Sequence, residues 1–200
     1  MTTLTMEQPI SEERRIKEKA QRNLVRLGTF SIVMLFGGLT SAYVVRKDGG
    51  AWFSINMPME FWISTAIILL SSVTMILAEW AYKANKKSLG TAMIGTTFLL
   101  GLLFTLFQFL GWAELKANGI YFSPADGQGA LISGSFIIAL SGLHLAHLLG
   151  GLIALLITLF KGFMGKYHSG NVHGVKLAGI YWHFLDGLWI YLFLFLTIFK

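Results

Sequence analysis

Five long apolar stretches, near residues 24–45, 60–82, 91–115, 129–160 and 177–199, constrain this 200-residue chain more than any other feature. Each is as long as the roughly 20 residues that a helix, rising about 1.5 Å per residue, needs to cross a hydrocarbon layer. In such a layer only helices and closed barrels satisfy their own backbone groups, and unbroken apolar runs of this length select helices. Charged residues make up 13% of the chain, against roughly 25% in an ordinary soluble domain, so little is left for a second unit. The expectation is an all-α, polytopic membrane helix bundle: a polar arm over 1–23 and a single five-helix transmembrane domain over 24–200.

The arm, "MTTLTMEQPISEERRIKEKAQRN", mixes acids with bases and reads as a short surface helix or an unfolded anchor for the first span. It lacks the basic start and immediate apolar core of a cleavable leader, so the first span is expected to remain. Basic residues divide unevenly between the two ends of the spans. Arg14, Arg15, Lys17, Lys19, Arg22, Arg26, Lys83, Lys86, Lys87, Lys161, Lys166 and Lys176 fall at one end, and Arg46, Lys47, Lys116 and Lys200 at the other. Twelve against four predicts an inside N-terminus and an outside C-terminus. The net charge of +6 then serves orientation, and no basic and aromatic strand pattern points to nucleic acid. The glycine-rich "KGFMGKYHSGNVHG" reads as a flexible inner loop. Cysteine is absent, which removes disulfides, thioether-linked haem, thiolate zinc and iron–sulfur clusters for want of ligands.

Ionisable groups at membrane depth cost about 2.5 to 3.5 kcal/mol each on insertion scales, so each calls for a partner. Glu79 and Glu114 lie near span ends, where water or headgroups are within reach. "SGLHLAHLLGG" sets His144 and His147 three apart on one face of the fourth span, and "IYWHFLDGLW" does the same for His183 and Asp186 on the fifth. Gln108 of the third span falls at a similar depth. One interhelical hydrogen-bond network would satisfy all five. The same residues leave two other readings open: a metal or haem site built on the histidines, and a proton-handling or lipid-contacting role.

With "QFLGWAEL" and "RLGTFSIVMLFGGLTSAYVV", those two motifs stand in an order and at positions that resemble subunit III of the haem–copper respiratory oxidases. The resemblance covers nearly the whole chain, and five spans match the short bacterial form. It implies that His144, His147, His183 and Asp186, with Gln108, Trp112 and Glu114 as the third-span signature, serve packing and polar contacts in a subunit that binds no redox centre. Haem and copper would sit in the partner catalytic subunit, which needs six histidine ligands, whereas this chain has five histidines in all. The family's first shared span often carries a Ser-Glu pair linked to bound lipid and carbodiimide reactivity. Ser31-Ile32 stands there instead, which removes any function resting on that Glu. Lys176 replaces a position that is acidic in some relatives and suits an inner-face lipid headgroup or a partner carboxylate.

The implied function is a non-catalytic subunit of an aerobic terminal oxidase in the bacterial cytoplasmic membrane, touching subunit I directly and sharing the complex with subunit II and bound phospholipid. It would stabilise the catalytic subunit and support proton uptake while oxygen is reduced to water. Cytochrome c is the first choice of electron donor and quinol the second, with a nitric-oxide-reductase accessory protein as a further family reading. Two rivals come from other classes. A small haem-binding membrane electron carrier would pair His144 or His147 with His183, and a channel or exchanger would use Asp186. The lack of internal repeats and broken helices weighs against the second.

Overall fold

The computed structural model describes residues 8–48, 57–120 and 132–199. They form five helices: α1 (Gln8–Asp48), α2 (Met59–Lys83), α3 (Lys87–Ala117), α4 (Ile132–Phe163) and α5 (His173–Ile198). All five are long and apolar enough to cross a membrane. Against the expected spans, the ends of α2 to α5 differ by a few residues, as caps and fraying dictate, whereas α1 begins well before residue 24. Positions 1–7, 129–131 and Lys200, counted in the expected arm and spans, lie outside the described residues.

The arm is not a separate piece from Gln8 onward. It is the opening of α1, whose 41 residues give a rod of roughly 60 Å, about twice a hydrocarbon layer. Its mixed charges sit on a helix that continues into the span without a break. Arg14 Nε, for example, donates to Glu18 Oε1 one turn on at 3.1 Å.

Helices α2, α3, α4 and α5 form a closed ring in which each packs on its neighbours, and α1 lies outside it against α4 and α5 alone. The α2–α3 turn is tight. Asn85 takes φ 58°, a left-handed conformation that Asn tolerates, and Lys86 N–H closes on the Ala81 carbonyl at 2.8 Å. In its most apolar stretch α5 is 50% buried and α1 only 17%, so α5 is the central helix and α1 a peripheral one.

Helix α1 is fastened to the ring at both ends. At one, Tyr43 and Lys47 each donate to the Phe199 carbonyl at 3.0 Å. At the other, Arg14 Nη2 donates to Asn171 Oδ1 at 3.1 Å and His173 Nε2 meets Gln21 Oε1 at 3.2 Å. Between these ends a groove of about 390 Å³ separates α1 from α5, with Val33, Phe36, His183 and Tyr191 among its walls.

The glycine-rich α4–α5 connection, expected as a flexible loop, is a hydrogen-bonded turn. Gly165 ends α4 at φ 68°, Lys166 N–H bonds the Lys161 carbonyl at 3.1 Å, and Asn171 Nδ2 bonds the Lys166 carbonyl at 2.9 Å. The glycines here supply backbone angles for the turn. Composition alone does not separate that use from flexibility.

Candidate functional site

Lipid tails are as apolar as the side chains that face them, so membrane helices associate through close packing and interhelical hydrogen bonds. Three such bonds join α2 to α3, Gln108 to Ser64, Thr74 to Thr97 and Tyr82 to Thr91, and three more join α2 to α5. Trp182 Nε1 donates to Ser71 Oγ at 3.0 Å, and Trp189 Nε1 donates to Thr65 Oγ1 at 3.0 Å. The indoles are seven residues apart, two turns along one face of α5, and the hydroxyls run in the reverse order on α2, as antiparallel neighbours require. Trp182 is fully buried, and a third helix makes room for it. A Cβ on Gly101 of α3 would stand 2.6 Å from Trp182 Cη2 and 2.8 Å from Leu152 Cδ2.

Beside this pair lies the ionisable group. His183 Nδ1 is 2.7 Å from Ser72 Oγ and 4.0 Å from Asp186 Oδ2, one turn further along α5. Asp186 is 3% exposed, and neither oxygen makes a hydrogen bond of good geometry, although the Ser72 hydroxyl lies next to it. With Nδ1 protonated, Ser72 accepts from His183 and has its own hydrogen left to offer Asp186. The imidazole also lines the α1–α5 groove, so this arrangement connects the groove to a buried carboxyl group.

The five residues expected to share one network do not meet in one place. Gln108 Nε2 donates to Ser64 Oγ of α2 at 2.9 Å, while its Oε1 is buried without a partner. His144 is fully buried with both ring nitrogens unbonded, its ring 5.2 Å from Trp189 and 6.0 Å from Phe104. His147 Nδ1 turns back to the Leu143 carbonyl of its own helix at 2.7 Å, and its ring meets the edge of Phe36 at 5.8 Å. Only His183 and Asp186 stand together. Three-residue spacing fixes a shared helix face but not which neighbour that face meets, and α5 turns this face toward α2.

The remaining sequence candidates lie further out. Trp112 Nε1 donates to Ser141 Oγ at 2.9 Å and so joins α3 to α4. Glu114 is exposed beside Glu60 of α2, Lys176 is exposed in the first turn of α5, and Glu79 pairs with Lys83 on its own helix at 2.7 Å. Sequence reasoning missed the acceptors Ser64, Thr65, Ser71 and Ser72. Their signal was legible as hydroxyl residues repeated through the apolar "ISTAIILLSSVT". Among the described residues no three His, Asp or Glu side chains converge as a metal-binding group.

A family model described as "Cytochrome c oxidase subunit III" matches residues 29–200. The chain belongs to the cytochrome c oxidase subunit III family. "Probable cytochrome c oxidase subunit 3" of Rickettsia conorii (strain ATCC VR-613 / Malish 7) is 36% identical over 171 residues, covering 82% of this chain and 56% of that protein. Its counterpart in Rickettsia bellii (strain RML369-C) is 32% identical, over 82% of this chain and 57% of that protein. The chain thus spans little more than half the length of these curated relatives. "Cytochrome c oxidase subunit 3" of Corynebacterium diphtheriae (strain ATCC 700971 / NCTC 13129 / Biotype gravis) is 27% identical over 97% of both chains. The family match takes in α2 to α5, with all the α2–α5 bonds, and begins within α1. The preceding part of α1, up to residue 28, lies outside it.

Proposed function

We propose that this chain is an accessory, non-catalytic subunit of an aerobic terminal oxidase in a bacterial cytoplasmic membrane, packed against the haem- and copper-bearing subunit I in a complex that also holds subunit II. It stabilises that neighbour and supports proton uptake during oxygen reduction, with cytochrome c as the donor to the complex. The N-terminus is inside and the C-terminus outside. Bound phospholipid fits the lipid-facing helices, and Lys176 meets a headgroup or a partner carboxylate.

The observation that carries this reading is the destination of the deep polar side chains. Trp182, Trp189, Gln108 and Trp112 each reach a Ser or Thr hydroxyl on a neighbouring helix, so most of the interior polarity holds helices together. His144, the most deeply buried imidazole, is closed in by aromatic rings, which disfavours the haem-carrier reading. Purification of the tagged chain in mild detergent tests the assignment. Co-purification of a haem-containing subunit is expected, and a chain that returns alone, or with its own haem band, would overturn it.

A further inference from the structure

The inner extension of α1 and the α4–α5 turn enclose a cleft of about 340 Å³ that the family match covers only in part, because four of its ten lining residues precede residue 29. Arg14 and Lys17 face it from α1, Lys161 and Lys166 from the end of α4 and its turn, and Tyr167 and His173 from the turn and the start of α5. Four fixed cations thus surround one carboxylate, that of Glu18. Glu18 is already engaged by Arg14 Nε at 3.1 Å. Lys17, Lys161 and Lys166 have no ion-pair partner among the described residues.

The cleft is held in shape by bonds that leave these lysines free. Arg14 binds Asn171 Oδ1, Asn171 binds the Lys166 carbonyl, and His173 Nε2 meets Gln21 Oε1. Gathering cations in a rigid concavity is unfavourable unless an anion offsets their repulsion. The start of α5 adds to the demand. Val172 at its N-cap makes no side-chain cap bond, and no acidic residue occupies its first turn, so the positive end of the helix is left for an outside acceptor. Gly174 in that turn lets Tyr167 approach, since a Cβ there would stand 2.6 Å from the phenol oxygen. Thr158 Oγ1 donates to the Ala154 carbonyl at 2.8 Å, so the Tyr167 phenol is the donor in its bond with Thr158 and closes the floor of the cleft.

We propose that this cleft binds a phosphate group. Lys17, Lys161, Lys166 and the α5 N-terminus supply its counter-charge. Depth allows two sources of the same chemistry. Gln21 precedes the apolar span at Leu24 by about 5 Å of helix and Arg14 by about 15 Å, whereas the headgroup layer is roughly 5 to 8 Å thick. The cleft therefore reaches from the headgroup layer into water, within range of an anionic phospholipid and of free phosphate.

The test uses the full chain in its complex and measures two things: retention of phosphatidylglycerol from mixed phosphatidylglycerol–phosphatidylcholine vesicles, and binding of inorganic phosphate by phosphorus NMR. Lys161→Gln with Lys166→Gln should weaken whichever phosphate binds by about thirtyfold, about fivefold per lysine. The paired Lys→Arg changes should restore it. Lys17→Gln alone, on the extension outside the ring, should cost about fivefold and keeps the test valid if the double variant does not assemble. Lys87→Gln, at the same end of the bundle but outside the cleft, should change nothing. Preferential retention of phosphatidylglycerol without competition from inorganic phosphate identifies a lipid, and saturable binding of inorganic phosphate identifies the free ion. Binding of neither, or equal losses from Lys87→Gln and the cleft variants, would overturn the proposal.

Discussion

Trp182 of α5 donates its indole N–H to Ser71 of α2 at 3.0 Å through space that Gly101 of α3 leaves open, so three helices meet at one bond. Ser71→Ala leaves a buried N–H unpaired and should cost about 1 to 2 kcal/mol. Gly101→Ala drives a Cβ against the indole and should cost about 1 to 3 kcal/mol. The temperature at which the detergent-solubilised protein loses its helical signal measures both. A wild-type melting temperature for Gly101→Ala would mean that the packing at this junction is looser than described.

His144 gives the opposite expectation. Its ring fills space between Phe104 and Trp189 while its nitrogens bond nothing, so an apolar ring of similar shape keeps the packing and removes two unsatisfied polar atoms. His144→Phe should leave thermal resistance within about 1 kcal/mol of wild type or raise it. His183→Phe, which breaks the 2.7 Å contact with Ser72, should lower it. Equal losses from the two would show that His144 has a polar partner after all.

Asp186 should need its setting more than its charge. It is 3% exposed and stands next to the Ser72 hydroxyl. Asp186→Asn keeps a group that can bond Ser72, whereas Asp186→Leu does not and should weaken the assembled complex by about 0.6 to 2 kcal/mol. Detergent and heat resistance of the two variants should therefore differ, with Asn the milder. An unchanged Asp186→Leu complex would remove Asp186 from the helix-joining role.

The helices were legible because a bilayer leaves one solution for runs of 20 apolar residues, and ends misplaced by a few residues do not alter that. The partners of the buried polar groups were not. His183 and Asp186 could be placed on one face by spacing, but that this face meets Ser72, while His147 bonds its own Leu143 carbonyl, depends on how each helix is rotated in the ring. The hydroxyl repeat of α2 carried the missing information, since Ser and Thr in an apolar span are the natural acceptors for Trp and His. The continuity of α1 was hidden for a different reason. A mixed-charge arm of this composition suits a surface helix, an unfolded anchor or an extension of the span equally well.

The proposed orientation, drawn from the charge asymmetry, puts the α2–α3 turn inside and the C-terminal end of α5 outside. Reporter fusions at Lys86 and after Phe199 should read inside and outside respectively. The same side for both would contradict five alternating crossings.

Ile32 cannot be ionised, and the stretch from Arg26 to Arg46 contains no carboxylate, so carbodiimide should not modify the first span. The carboxylates left for reaction within the other described helices are Glu60, Glu79, Glu114 and Asp186, of which Glu114 is exposed and Asp186 almost enclosed. Mass spectrometry of treated protein should find Glu114 modified before Asp186. A modified peptide between Arg26 and Arg46 would contradict the assignment.

Repeated turnover of the oxidase prepared with and without the chain tests whether the chain supports the enzyme without building its metal centres. Intact haem and copper spectra and substantial initial oxygen consumption are expected without the chain. Activity should then decay faster per turnover and fall off sooner as pH rises and protons become scarce. Collapse of the haem spectrum on removal would assign the chain to the metal site itself, and endurance and a pH profile equal to those of the complete enzyme would contradict the supporting role.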